Sequence, residues 1–585
     1  MMLNISQAST AMLAKQQEIS NITVEAGIPI ARLRSDVTFA ELASAVQQND
    51  VAGQHEKSTW QLASILFDKN ISDHATRKAR LEAFWKEITA KSAKKQLDST
   101  IIAEEKALAY LSMHDIWSAS EALTTGRDFR LATMIAQIGG DATMREDMAD
   151  QIQRWREADV LPEMTPAIRT LYELLAGNTC ISDGKGGSLG RENRAETFNI
   201  SHHFGLDWKR AFGLKLWYGV TSDAPLTSAI EAYEADVASG NEKVKPSPWF
   251  VEEKVDLPWS SENASEHEDM LWGLLKLYAS NEGALQDVDL ASLLTPENLT
   301  CNPVDARLCF QLYQALQTLN VASFTPDTAS KADTMTSLLI SQLSTSPSNL
   351  APAVLISLYL TQPTARKSII QALLTRHAGA ITSDLFTTLT SDLKVPAAWI
   401  HNARALHARA VDNDEAQSVR HLLLASELGE ASDRFRRIVA PRAVIEEDHD
   451  VLKGLLDLFE QHDVQATRDW ERGGALYRAF VTVLDAGSAE ERKEGAERLV
   501  TALERAGAKE DNGAEAGLEE RVAWSEMWAL VERVRSESGD DEGARETGKG
   551  AGKGAGMGEN DVLKEALKLS EDFYRNLFVD VSVGA

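Results

Sequence analysis

LDWKRAFGLKLWYG occupies residues 206–219, separated by Gly205 alone from Ser201-His202-His203-Phe204. Two histidines, an aspartate, two tryptophans and a tyrosine so close together admit two readings: metal ligands beside an aromatic pocket, or a buried helix. A helix turns by about 100° per residue. Counted that way from Trp208, the residues Ala211, Phe212, Leu214, Leu216, Trp217 and Tyr218 cover most of the circumference. Asp207 stands where an N-cap belongs, since its carboxylate can take an amide that a helix start leaves unpaired. Lys209, Arg210 and Lys215 are scattered around the helix rather than gathered on one polar face. A helix apolar nearly all round belongs inside a larger assembly of helices, with its basic heads reaching outward along their stems. The histidines fall before the cap, in the end of a loop, and no third residue has ligand-like spacing, so no metal is implied.

The same style fills the flanks. In DFRLATMIAQIGGD (128–141) Asp128 can cap a helix, Leu131, Met134, Ile135 and Ile138 recur at i, i+3, i+4 and i+7, and Gly139-Gly140 ends it before Asp141 starts another. STWQLASILFD (58–68), EDMLWGLLKLYAS (268–280), DARLCFQLYQALQTLN (305–320) and RKSIIQALLTRHA (366–378) repeat the pattern, while alternating strand-like runs are few. The fold class is therefore all-α. Helix lengths vary and no motif recurs at a fixed period, which predicts an irregular, solenoid-like stack rather than a regular repeat. Three stretches interrupt it: a Gly-rich loop at 177–193, a Pro-rich connection at 245–259, and a low-complexity, disordered linker at 537–560 before an amphipathic helix at 561–578.

Composition sets outer bounds. At 585 residues, 43% apolar and 25% charged, the chain can build a large folded core. Its net charge of −28 opposes a phosphate backbone, and its basic residues are mixed with acids, as in RDFR (127–130) and RFRR (434–437), so direct nucleic-acid binding is not expected. Three cysteines without CxxC spacing indicate neither a disulfide framework nor a zinc site. The first residues lack a continuous apolar core and the longest apolar run, APAVLISLYL (351–360), is too short to cross a bilayer, so a soluble chain without membrane insertion is expected.

Motifs that suggest chemistry dissolve on inspection. Gly543 to Lys549 matches GxxxxGK, but Gly550 stands where Ser or Thr should hold magnesium and no strand precedes it. His55-Glu56 opens like a HExxH zinc helix, yet Thr59 occupies the second ligand position. IEEDHD (445–450) gathers acids and a histidine just before a helix, where acids are favoured by the unpaired amides. There is no GxSxG and no Gly-rich dinucleotide turn. No catalytic residue, cofactor or metal is expected.

Four blocks in one order carry a resemblance: HEKSTWQLASILFD (55–68), HDIWSASEALTTGRDFRLATMIAQIGGD (114–141), FGLDWKRAFGLKLWYG (204–219), and VPAAWIHNARALHARA (395–410) with SELGEASDRFRRIVAPRAVIEEDHDVLKGLL (426–456). From about Phe39 to Phe459 the chain resembles a scaffold nucleoporin family, in a fungal-like form. This is the subunit of the Y-shaped outer-ring complex of the nuclear pore that is released from the C-terminal part of an autoproteolysed precursor. The family's fold is the ancestral coatomer element, a helical stack folded back on itself as trunk, crown, returning trunk and tail.

The resemblance implies 1–36 as an N-terminal remnant of a propeller-inserting segment, 37–73 as the first trunk helices and 74–224 as the crown. It makes 225–361 the returning trunk, 362–536 the tail, 537–560 a linker and 561–585 a C-terminal tail helix. It implies a non-catalytic scaffold at the nuclear pore complex, needed for pore assembly and so for transport of protein and mRNA. Partners would be a neighbouring scaffold nucleoporin at the crown, hub nucleoporins at the tail, and a β-propeller coat protein shared with vesicle coats. For the propeller only NITVEAGIPIARL (21–33) has extended character where about three strands are needed, so the chain is expected to begin inside that blade. Phe129, Met134 and Ile138 are the expected partner-binding residues of the crown. Trp60, Leu131, Ile135, Trp208, Phe212, Trp217 and Trp399 are expected in the core. The alternatives are a vesicle-coat scaffold of the same fold and, more remotely, an all-α metal- or nucleotide-dependent enzyme.

Overall fold

Aspartates write eight of the helix starts. The carboxylates of Asp50, Asp73, Asp115, Asp128, Asp207, Asp269, Asp289 and Asp414 each accept a backbone N–H from the first turn that follows. In this computed structural model 70% of the protein is helical. Described are residues 7–71, 73–139, 142–185, 194–255, 267–461, 470, 473–508 and 517–537. They divide into two units, one of residues 7–25 and 29–366, the other of residues 26–28 and those from 367 onward. The sequence expectations for 538–560 and for 561–585, and the GxxxxGK match, lie outside the described residues.

The first unit opens with α1 (Gln7–Glu18), a hairpin of β1 (Ser20–Glu25) and β2 (Ile28–Leu33), α2 (Phe39–Ala45) and α3 (Val51–Phe67). The hairpin turn uses left-handed backbone at Ala26 and Gly27 (φ +50° and +77°), as a two-residue connection between twisted strands requires. Next come α4 (His74–Ser99), α5 (Ala103–Leu111), α6 (Ile116–Thr125), α7 (Phe129–Ile135), α8 (Ala142–Glu157) and α9 (Pro166–Leu175). The two-residue strands β3 (Ile181–Ser182) and β4 (Phe198–Asn199) pair antiparallel, Ile181 opposite Asn199, ahead of α10 (Ile200–His203) and α11 (Trp208–Leu214). The chain then returns through α12 (Leu226–Ser239), α13 (Trp249–Glu252), α14 (Met270–Asn281), α15 (Leu290–Leu293), α16 (Pro296–Leu299), α17 (Arg307–Thr318), α18 (Pro326–Leu343) and α19 (Leu350–Ser357).

The return is visible in the packing: α14 lies against α3, and α19 against α1. Asp68, which ends α3, shows how the local sequence enforces this. Its carboxylate accepts the Phe39 and Ala40 amides at 2.9 and 3.2 Å and the Ser64 hydroxyl at 2.7 Å, so one side chain closes α3 and starts α2. Phe39 then stacks on Trp60, ring centroids 6.2 Å apart, with both rings fully buried.

α20 (Pro363–Arg376) contains the division between units. The second unit continues with α21 (Ser383–Thr387), α22 (Ala397–Ala410), α23 (Glu415–Leu424), α24 (Leu428–Arg434) and α25 (Ala440–Ile445). It closes with α26 (His449–Gln461), α27 (Gly474–Asp485), α28 (Ala489–Ala508) and α29 (Leu518–Glu537). Its core gathers Phe435, Phe459, Trp470 and Tyr477 with leucines and valines of α23 to α29.

Candidate functional site: exposed aromatics on a buried polar frame

The stretch 206–219 forms α11, capped by Asp207 through the Arg210 amide (2.9 Å), and runs on as a π-helical turn, Lys215–Gly219. Trp208 and Phe212 are fully buried in an aromatic cluster with Trp85, Tyr233 and Trp272, at centroid distances of 4.9 Å for Trp85–Phe212 and 5.2 Å for Phe212–Trp272. The backbone comes so close here that a Cβ on Gly213 would meet Trp217 Cζ3 at 2.6 Å and Trp85 Cδ1 at 3.3 Å. Trp217 is also buried and stacks on His114 (4.9 Å). Burial lowers the His114 pKa to about 4, and its Nδ1 lies 3.2 Å from the Tyr218 hydroxyl.

The basic residues of this stretch depart from expectation. Arg210 does not reach outward: it is 1% exposed, with Nε and Nη2 donating to Ser112 Oγ at 2.8 and 2.6 Å and Nη2 also to Gln96 Oε1 at 2.5 Å. The helix is enclosed on all sides, so the guanidinium has no short route to water and takes internal acceptors instead, while burial lowers its pKa to about 10. Lys209 pairs with Glu252, and Lys215 with Asp236 at 2.6 Å. His202 and His203 sit in α10, a short helix capped by Asn199, rather than in a loop, and both are exposed.

A second polar frame joins the outgoing and returning helices. Arg307 of α17 forks onto Glu56 of α3, Nη1 to Oε1 at 2.7 Å and Nη2 to Oε2 at 2.6 Å, with both groups buried. Arg307 Nη1 also donates to Gln311, whose amide reaches the Met12 carbonyl of α1. Next to Glu56, buried His55 lies 3.8 Å from Asp269, and burial lowers its pKa to about 4. The residues that looked like half a zinc helix are thus structural cross-links. Among the described residues no group of three or more ligating side chains converges, and no helix is long and apolar enough to cross a membrane.

Of the expected core residues, Trp60, Leu131, Ile135, Trp208, Phe212 and Trp217 are buried. Trp399 is only half-buried, because its face of α22 meets Lys367, whose ammonium sits 5.8 Å from the ring centroid. Of the expected partner-binding residues, Phe129 is 62% exposed and Met134 half-buried, but Ile138 is 8% exposed. The reason is local. α7 ends at Ile135, earlier than expected, and Ile138 lies in the turn beyond it that folds onto the core, before Gly139 at φ +85°. Sequence reasoning missed Trp117, 72% exposed at the start of α6, and Ile101-Ile102 just ahead of α5. The helical count could have found Trp117: it lies about 200° around α6 from buried Ala119. At the α5 end, Gly126 abuts Ala103 so closely that a Cβ there would stand 2.5 Å away, which puts Ile101, Ile102 and Phe129 at one end of the α5–α7 layer.

A helical stack whose polar interior is cross-linked and whose outward apolar groups are single large side chains defines a helical scaffold. The chain belongs to the Nup96 family, described as Nuclear protein 96, whose match covers residues 105–407. It is 32% identical over 464 residues to Nucleoporin NUP145 of Chaetomium thermophilum, covering 77% of this chain and 23% of that protein. It is 27% identical over 512 residues to Nucleoporin nup189 of Schizosaccharomyces pombe, covering 81% and 26%. With Nuclear pore complex protein NUP96 of Arabidopsis thaliana it shares 22% over 377 residues, covering 63% and 33%. The chain therefore spans about a quarter to a third of the length of these curated relatives.

Proposed function

We propose that this chain is a structural, non-catalytic subunit of the nuclear pore complex, located at the nuclear envelope. Membership of the Nup96 family is the observation that carries the reading, and its relatives bear nuclear-pore names in fungi and plants. That membership favours the pore over a vesicle coat.

In detail, helices 74–224 act as a crown that pairs with a neighbouring scaffold nucleoporin through Phe129 and Met134, joined by Trp117, Ile101 and Ile102. Large exposed apolar side chains at helix starts suit this, since aromatic anchors dominate interface energetics. Ile138 serves the core instead. Helices 362–536 act as a tail toward hub nucleoporins, and β1–β2, with β1 largely exposed, offers an edge for strand addition to a β-propeller coat protein. The module boundaries 37–73 and 225–361 are proposed as the two passes of the trunk.

Fluorescent tagging of the chain in cells tests the assignment. A punctate nuclear rim is expected; a vesicular or evenly diffuse signal overturns it.

A further inference from the structure

His401 of α22 and His421 of α23 meet in the second unit, and the scaffold reading leaves them without a role. Their Nδ1 atoms lie 3.4 Å apart while their ring centroids lie 5.5 Å apart, so the two nitrogens are the near edges of the rings. Both side chains are half-buried, and among the described residues neither ring has another hydrogen-bond partner. The helices that carry them are fixed by packing, since Ala405 of α22 and Val419, Leu422 and Leu423 of α23 are buried in the core of the unit. The spacing is thus built into the fold.

An N–H hydrogen bond works best at about 2.7–3.2 Å, and this pair is spread beyond that range. A tetrahedral zinc ion binds imidazole nitrogens at about 2.0–2.1 Å, which sets two of them about 3.3–3.4 Å apart. The right angle of a square-planar or octahedral ion would bring them to about 2.9 Å at the same bond length. The observed separation is that of two ligands of one tetrahedral ion.

Two cations stand near, Arg404 and Arg420. Arg404 is engaged elsewhere: its Nη2 donates to the Ile381 carbonyl at 2.7 Å, and its guanidinium lies 5.4 Å from the centre of the Phe386 ring. Arg420 is exposed, where solvent and salt screen it. Their repulsion weakens a bound ion, but it also opposes the proton that competes for the same nitrogens.

We propose that His401 and His421 form a site for one zinc ion, bound through both Nδ1 atoms and tying α22 to α23. Among the described residues no third ligating side chain joins them, so the remaining positions are left to water.

The test titrates zinc chloride into the full chain in competition with a chromophoric zinc indicator, for the wild type, His401→Gln, His421→Gln and the double variant. The wild type is expected to hold one zinc equivalent in the micromolar range that each single variant weakens at least about tenfold. The double variant loses no more than either single one, because both imidazoles serve the same ion. The exposed pair His202-His203 is present in all four chains, so its binding cancels. Zinc should also slow amide exchange in α22 and α23 of the wild type alone, and exchange of the zinc-free variants reports that their fold is retained. Equal zinc uptake by all four chains, losses that add in the double variant, or exchange in α22 and α23 that ignores zinc overturns the proposal.

Discussion

Cutting the Glu56–Arg307 fork tests how the return of the chain is held. The two residues stand 251 positions apart, both are buried, and both N–H···O contacts are short, 2.7 and 2.6 Å. Opposite charge at this distance favours the charged guanidinium and raises its pKa further despite burial. Removing one partner leaves the other charge stranded in the interior, which costs about 3–5 kcal/mol. Replacing both by apolar side chains of similar volume removes the desolvation cost along with the attraction, and is neutral or stabilising by about 1–4 kcal/mol. Glu56→Leu and Arg307→Met are therefore expected to destabilise singly and to cancel together. Hydrogen exchange of the slowest amides of the first unit outside α1, α3 and α17 reads its global stability without interference from the second. Single variants that lose less than about 1 kcal/mol, or a double variant whose loss equals the sum of the two, would refute the reasoning.

Gly213→Ala is expected to cost about 1–3 kcal/mol, because the new methyl overlaps the Trp217 ring in a core with no slack; an unchanged melting temperature contradicts this. Trp117→Ser with Phe129→Ser should change stability by no more than about 0.5 kcal/mol per site yet abolish co-elution with the neighbouring scaffold subunit, and retained co-elution removes these residues from the interface. For His55 the sign is fixed by the shift: the unfolded histidine takes a proton near pH 6.5 and the folded one only near 4. Its contribution is complete above about pH 6.5 and falls by about 1.4 kcal/mol per pH unit down to about pH 4. Glu252, raised by burial to about 7, works in the opposite direction, since the folded state holds its proton longer. Unfolding measured over this pH range should show the slope of stability against rising pH lowered by about 1.4 kcal/mol per unit in His55→Leu, leaving the opposite trend of Glu252, and an unchanged slope rules out the histidine.

Periodicity and caps were enough for the helices, because both are local. Asp128 and Asp207 cap the helices they were expected to cap, and the buried residues of α11 follow its wheel. What the sequence hid was pairing across distance. Nothing near Glu56 announces Arg307, and nothing near Arg210 announces Ser112 and Gln96. A charged residue on an apolar helix has two solutions, reaching out to water or meeting a partner inside, and only the fold decides between them. Ile138 failed for a related reason: its spacing fits the α7 stripe, but the helix stops three residues earlier. Trp117 was legible and overlooked.

The buried polar groups bear on more than stability. Leucine-rich helix faces pack nearly as well when one helix slides by a turn, so apolar burial alone holds register loosely. A bidentate Glu56–Arg307 pair extended by Gln311 to the Met12 carbonyl has one geometry in which every contact forms, and a slip by one turn strands a charge. Arg210 does the same between α11, α4 and the α5–α6 turn, beside which α6 begins with exposed Trp117. The Glu56→Leu/Arg307→Met double variant separates the two roles. It should keep its global stability while α3, α17 and α1 exchange amide protons faster through local opening. If those helices exchange at the wild-type rate, apolar packing alone sets the register of the stack and the ionic frame is dispensable for it.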